Sequence, residues 1–131
     1  MIINEVGIKP GEKILDLATG TGNPAISIAL SLKGRGSVTC TDLTLHMLET
    51  ARSRAKNLSL DVMTFAAANM SALPFPNGVF DCVPCRFGIM FPKNKVHAAL
   101  EANRVLKPGG RIAYLVWGPY ALNPPFYVPR R

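Results

Sequence analysis

Two glycines carry the first chemical hint in this chain. Gly20 and Gly22 follow the apolar run Ile14-Leu15-Asp16-Leu17 and precede Ala25 to Leu32, which has helical spacing. A strand, a glycine turn and a helix let the backbone come close to a nucleotide that side chains would exclude, and Gly20-x-Gly22-x-x-Ala25 has the spacing for it. Asp42 follows about 20 residues further on, at the end of a second strand-like stretch, where its carboxylate can accept two hydrogen bonds from a ribose diol. NAD and S-adenosylmethionine (SAM) suit these features equally, and a purely structural turn is a third reading. Asp16 tips the balance. A carboxylate at the strand end is a poor neighbour for a pyrophosphate and a good one for the amino group and sulfonium of SAM.

Other residues look chemical and have plainer readings. Cys82-Val83-Pro84-Cys85 has redox or zinc spacing, but no second pair accompanies it and it lies in a stretch of strand character, so buried structural thiols are expected and no metal site. His46 and His97 fall on separate predicted helices and read as partly exposed helix residues. Met47, Met63, Met70 and Met90 read as core fillers. Trp117-Gly118-Pro119-Tyr120 ends the last strand on the side where such sheets bind ligands.

The elements that must position these residues alternate. Ile14–Leu17 is the first strand, and Asn23-Pro24 opens a helix with Asn as N-cap and Pro at the first helical position. Ser37 to Thr41 is the second strand; Thr44 caps a helix running to Asn57 with Leu45, Leu48, Ala51 and Ala55 on one face. Weaker strand character covers Val62 to Ala66, and Val79 to Cys85 is a fourth strand. Lys95 to Leu106 is helical and stops at the breaker Lys107-Pro108-Gly109-Gly110, after which Arg111 to Trp117 forms a fifth strand. Strands alternating with helices predict an α/β, Rossmann-like, doubly wound parallel sheet of about five strands with helices on both faces. Residues 1–131 form a single domain, without repeats or linkers.

Composition narrows the function class. No stretch is long enough to cross a bilayer, the first residues lack the pattern of a signal peptide, and three cysteines in an ordinary globular composition suit a reducing cytoplasm. The net charge of +7 is carried by bases scattered among helix, loop and tail, without interleaved aromatics; it reads as a solvated surface and not a nucleic-acid footprint.

Taken together, four segments resemble the class I SAM-dependent methyltransferases, in particular the branch with the ubiquinone and menaquinone biosynthesis enzymes. They are Lys9 to Gly22; Asp42-Leu43-Thr44 with Met47 to Arg52; Leu73-Pro74-Phe75-Pro76 with Phe80-Asp81; and Arg104-Val105-Leu106-Lys107-Pro108-Gly109-Gly110-Arg111. The resemblance implies methyl transfer from SAM to a small-molecule acceptor, a quinone precursor being one candidate. It implies that Asp16, Ala18, Gly20 and Gly22 lie near the methionine and ribose parts, Asp42 holds the ribose diol and Leu43 covers the adenine. Asn69-Met70 would face the adenine edge, and Arg86 the methionine end. No catalytic residue is nominated.

Against the family's usual seven strands, the chain reads as truncated at both ends and without the terminal β-hairpin. Ile112 to Val116 would then be an open edge, and a homodimer through it is expected. Two rivals stay open: a SAM-binding module without turnover, and an NAD-dependent oxidoreductase domain.

Overall fold

A computed structural model describes residues 7–86 and 92–115 of the chain; Met90, the segment 117–120 and the proline-rich tail lie outside the described residues. Strand β1 (Lys13–Asp16) is followed by helix α1 (Ala25–Ser31), β2 (Ser37–Asp42), α2 (Leu45–Asn57), β3 (Met63–Ala67), β4 (Phe80–Arg86), α3 (Lys95–Val105) and β5 (Leu106–Leu115). The strands form one five-stranded sheet in the order β3-β2-β1-β4-β5, and all neighbours run parallel. The chain winds outward from β1 to β3, then crosses back to lay β4 on the other side of β1. That reversal opens a crevice above the carboxyl ends of β1 and β4, where open α/β sheets take their ligands.

Alternation along the strands splits the core into two layers, one on each face of the sheet. Ile14, Val38, Cys40 and Cys82 pack with Ala25, Ile28 and Ala29 of α1 and Leu48 and Ala55 of α2. Leu15, Leu17, Val83 and Cys85 pack with Ala102 and Val105 of α3. Helices therefore cover both faces, as the alternation of elements predicted.

Three local departures have physical causes. Pro24 takes the N-cap position of α1 itself, with no side-chain cap, so the Asn-cap, Pro-first arrangement read from the sequence is not the one formed. Strand β5 begins at Leu106 and not at Arg111, directly where α3 ends. The ladder to β4 absorbs the Lys107–Gly110 stretch as a register shift between Phe80 and Cys82, which β5 tolerates because, among the described residues, its other side is not in a ladder. Pro84 sits inside β4, a strand paired on both sides. Its carbonyl accepts from Leu17 N–H at 3.1 Å, so the N–H it lacks would have faced β1 as well. The β1–β4 ladder accordingly shrinks to the Ile14–Cys82 pairing and an isolated bridge at Leu17–Cys85.

Candidate functional site

Beyond Asp16 the chain bends sharply over the end of β1: Ala18 and Gly20 adopt φ of 55° and 59°, and Gly22 reaches 121°. Ala18 is the costly member, since an alanine in the left-handed region persists only where its surroundings impose it. Those surroundings are a small hydrogen-bond cage. Thr19 N–H donates to Thr41 O at 2.8 Å, and Gly22 N–H to Thr19 O at 3.1 Å. Gly20 N–H donates to Asp42 Oδ2 at 2.8 Å and Thr44 N–H to Asp42 Oδ1 at 2.9 Å. Each oxygen of Asp42 is thereby fixed by one backbone donor and keeps a lone pair for a ligand. From α2, Arg54 Nη1 donates to Thr21 O at 2.8 Å and ties the turn to the helix.

Asp16 lies beneath this turn, fully buried. Its Oδ2 accepts from the Thr19 hydroxyl at 2.7 Å, and its backbone carbonyl from the Thr41 hydroxyl at 3.0 Å. Oδ1 is buried with no hydrogen-bond partner. Burial pushes the carboxyl up to about 7; the Thr19 hydrogen bond opposes the rise and the charge of Asp42 adds to it. An acid held this way gains if a cation comes to rest nearby.

A cavity of about 730 Å³ opens beside the turn, over the carboxyl ends of the strands, within the size range of small-molecule sites. Ala18, Gly20, Asp42, Leu43, Asn69, Met70 and Arg86 line it, as does Thr41. Of the residues singled out from the sequence, Asp16 and Gly22 do not. Asp16 is buried under the wall. Gly22 faces Ile26 of α1, whose Cδ1 would lie 2.7 Å from an added Cβ.

Met47 lines the cavity and is partly exposed, so it is not the core filler its type suggested, whereas Met63 is buried in the core. Leu43, 73% exposed, forms an apolar lip. Asn69 uses its side-chain oxygen on Ser71 N–H at 2.9 Å, which leaves one lone pair and the amide N–H groups for a ligand.

The segment Asn69–Ser71 is steadied by a clamp that no local pattern announces. Arg104 of α3 donates to the carbonyls of Leu73 and Phe75 and to Asn77 Oδ1 at 2.8–2.9 Å, and pairs with Glu101 at 2.7 Å. Glu101 in turn accepts from Leu73 N–H at 2.8 Å. The long loop into β4 is thus fastened to α3, and the wall it carries keeps its place.

Cys82 and Cys85 are both buried but belong to core layers on opposite faces of the sheet. A spacing of three in a strand sends the two side chains in opposite directions, so they cannot share an ion or a disulfide. Burial raises the Cys82 thiol to about 11, which keeps it protonated and inert. His46 and His97 are exposed, and neither lines the cavity.

Known proteins fit this geometry. The sequence model of the ubiE/COQ5 methyltransferase family matches residues 1–122. The chain belongs to this family. Among its relatives is the ubiquinone/menaquinone biosynthesis C-methyltransferase UbiE of Francisella philomiragia, 36% identical over 114 residues, which cover 86% of this chain and 46% of the relative. UbiE of Pasteurella multocida is 37% identical over 119 residues, 90% of this chain and 44% of that one. The chain spans about half the length of the curated relatives it matches. A SAM-dependent methyltransferase of Aquifex aeolicus superposes with a TM-score of 0.82 at 23% identity, over 88% of this chain and 62% of the other; at that identity the likeness speaks for the fold. As a member of the ubiE/COQ5 family the chain carries the Rossmann-like methyltransferase fold, and the NAD reading of the glycine turn falls away.

Proposed function

We propose that this chain binds SAM in the cavity beside the glycine turn and transfers its methyl group to a small acceptor, a quinone precursor being the class its relatives' names suggest. One observation carries the reading: Asp42, with both oxygens aligned by backbone donors, stands on the wall of a cavity that a buried, partnerless Asp16 oxygen underlies. A ribose diol suits the first carboxylate and a sulfonium or ammonium the second. Gly20, with open space where a Cβ would stand, leaves room for the ligand backbone to pass, and Leu43 and Met70 offer apolar surface to a base.

When bound, SAM supplies an already electrophilic methyl group. The protein's share is then alignment and exclusion of water, and neither needs a triad or a metal. Ala18, Asp42 and Asn69 would orient the donor, and the Leu43–Met47 lip would limit solvent. No helix of the described residues is long and apolar enough to cross a membrane. The buried thiols support a cytoplasmic location.

Titration calorimetry with SAM and with NAD, followed by methyl transfer to a panel of quinols, tests the proposal; tighter binding of NAD would sink it. Asp42→Ala is expected to weaken SAM by about 1.5–3 kcal/mol, because two hydroxyls lose a charged acceptor. Unchanged affinity in a folded variant would remove Asp42 from the site. A second reading is a SAM-binding module without turnover. Binding without transfer to any quinol of the panel would select it.

Self-association through β5 belongs to the same proposal. Among the described residues this strand stands at the end of the sheet, and Ile112-Ala113-Tyr114-Leu115 has high β-propensity with no charge to discourage pairing. Light scattering is expected to show a dimer; a monomer at millimolar concentration with freely exchanging β5 amides would rule it out.

A further inference from the structure

The outer side of β3, away from the glycine turn, is an open strand edge beside a groove. Among the described residues β3 ends the sheet opposite β5. Val38 N–H donates to Val62 O at 2.9 Å, and Ala68 N–H to Asp42 O at 3.1 Å. Backbone groups alternate in direction along a strand, so the even-numbered residues of β3 turn theirs to β2 and the odd-numbered ones turn theirs outward. Met63 N–H is taken by Leu60 O at 3.3 Å, which leaves Phe65 and Ala67 with outward N–H groups. Nothing in Met63-Thr64-Phe65-Ala66-Ala67 blunts this edge, for it holds neither charge nor proline.

Beside that edge α2 and β3 enclose a cavity of about 230 Å³. Its floor is apolar, from Ala55 of α2 and Met63 and Phe65 of β3, and Arg52 and Lys56 of α2 stand on its rim. The Arg52 guanidinium lies 5.3 Å from the centre of the Phe65 ring, a contact that uses the ring face and none of the guanidinium's hydrogen-bond donors. Among the described residues neither Arg52 nor Lys56 pairs with an acid. Asp61 lines the cavity as well, so two cations stand there against one acid. The volume is below that of ordinary small-molecule sites, about 300 Å³ and upward, and suits side chains reaching in from an added strand.

We infer that β3 is a docking edge for an extended acidic segment of a partner protein, which adds a strand to the sheet and sends acidic side chains into the groove between α2 and β3. Main-chain bonds to Phe65 and Ala67 give affinity without regard to sequence, and the groove gives selection. A glutamate beside Met63 or Phe65 lays its methylenes on the apolar floor and brings its carboxylate to Arg52 or Lys56. A lysine in the same place meets two cations and is refused. A second copy of this chain offers no such segment from its own sheet edges, since β3 and β5 both lack acidic residues.

Fluorescence polarisation on the full chain tests it with short labelled peptides. One alternates threonine and glutamate, a second alternates threonine and glutamine, and a third has the composition of the first with all its threonines ahead of its glutamates. The alternating acidic peptide is expected to bind at least about tenfold more tightly than either of the others. Arg52→Glu with Lys56→Glu should erase the preference for glutamate over glutamine. Amide exchange gives a second readout. Bound peptide should slow exchange at Phe65 and Ala67 and leave Thr64 and Ala66, which already face β2, unchanged. Should the double variant fail to fold, Lys56→Gln alone, at an exposed position, is expected to reduce the preference.

Equal binding of the alternating and block acidic peptides overturns the inference, since the net charge of +7 then accounts for the attraction. A preference that survives the substitutions overturns it too, as does exchange at Phe65 and Ala67 that the peptide leaves unaltered. Failure of the alternating peptide to bind at about 1 mM has the same consequence. Slow exchange at those two amides in the chain alone, lost on dilution, assigns the edge to a second copy and likewise overturns it.

Discussion

Asp16→Asn is expected to stabilise the protein at pH 8 and to leave its stability nearly unchanged at pH 4. The sign follows from where the proton sits. In the unfolded chain an aspartate ionises near its ordinary 3.8, whereas in the fold burial holds the Asp16 carboxyl up to about 7. Between those values the native state binds the proton and the unfolded state has lost it, so stability falls as pH rises through this window and levels off above it. A displacement of that size is on the order of 4 kcal/mol. Asparagine carries no such titration, and its side-chain oxygen can still accept from the Thr19 hydroxyl. The gain should therefore be absent at the acid end and full above neutrality. Ligand binding should move the other way. A sulfonium or ammonium near Oδ1 favours the ionised acid, so SAM should displace a proton from Asp16 near pH 6.5, and the variant should bind SAM more weakly with no proton released. Melting curves across pH and calorimetry in buffers of different ionisation enthalpy read both halves. A variant no more stable than the parent at pH 8, or equal proton release from both proteins, would contradict the assignment of the site's stored electrostatic cost to Asp16.

The turn that covers Asp16 was legible in the sequence because its signals are local. Glycines at Gly20 and Gly22 after an apolar run imply a backbone no other residue adopts easily, and the alternation of strand and helix patterns implies which end of the sheet they occupy. The two core layers were legible for the same reason, through periods of 2 and 3.6. What escaped depends on residues far apart in the chain. The Arg104 clamp joins α3 to carbonyls 29 and 31 positions earlier, and nothing in the run Arg104-Val105-Leu106 marks its arginine as a loop fastener. Arg86 of β4 and Lys93, just ahead of α3, line one cavity only because β4 and α3 are brought to the same end of the sheet. The start of β5 was read late because Lys107-Pro108-Gly109-Gly110 has the composition of a breaker; at a sheet edge the same residues are accommodated by a shift of register. The Cys82–Cys85 pair shows the reverse case. Its spacing means one thing on a helix or loop and another on a strand, and the strand assignment alone was enough to separate the thiols.

Gly20 and Gly22 look alike in the sequence, yet alanine at the two positions is expected to fail in different ways. At Gly22 the backbone has φ of 121°, where an L-residue is strained whatever space it has. A Cβ there would also meet Ile26 Cδ1 at 2.7 Å, with Arg54 Nη1 at 3.6 Å. Strain and displacement of Ile26 from the α1 core together amount to about 2–4 kcal/mol of lost stability. Because Arg54 holds the turn through Thr21, the damage should spread to that contact too. At Gly20 the φ of 59° lies in the left-handed region that alanine can enter for about 1 kcal/mol. No atom stands within 4 Å of its added Cβ. That emptiness is on the cavity wall, so the new methyl occupies ligand space. Gly20→Ala should therefore melt close to the parent and bind S-adenosylhomocysteine at least about tenfold more weakly. Gly22→Ala should melt much earlier, with any loss of binding following from the disturbed turn. Thermal denaturation and calorimetry on both variants separate the cases. If Gly20→Ala keeps full affinity, the ligand does not pass over this turn, and the glycine spacing that first suggested a nucleotide is there for the fold alone.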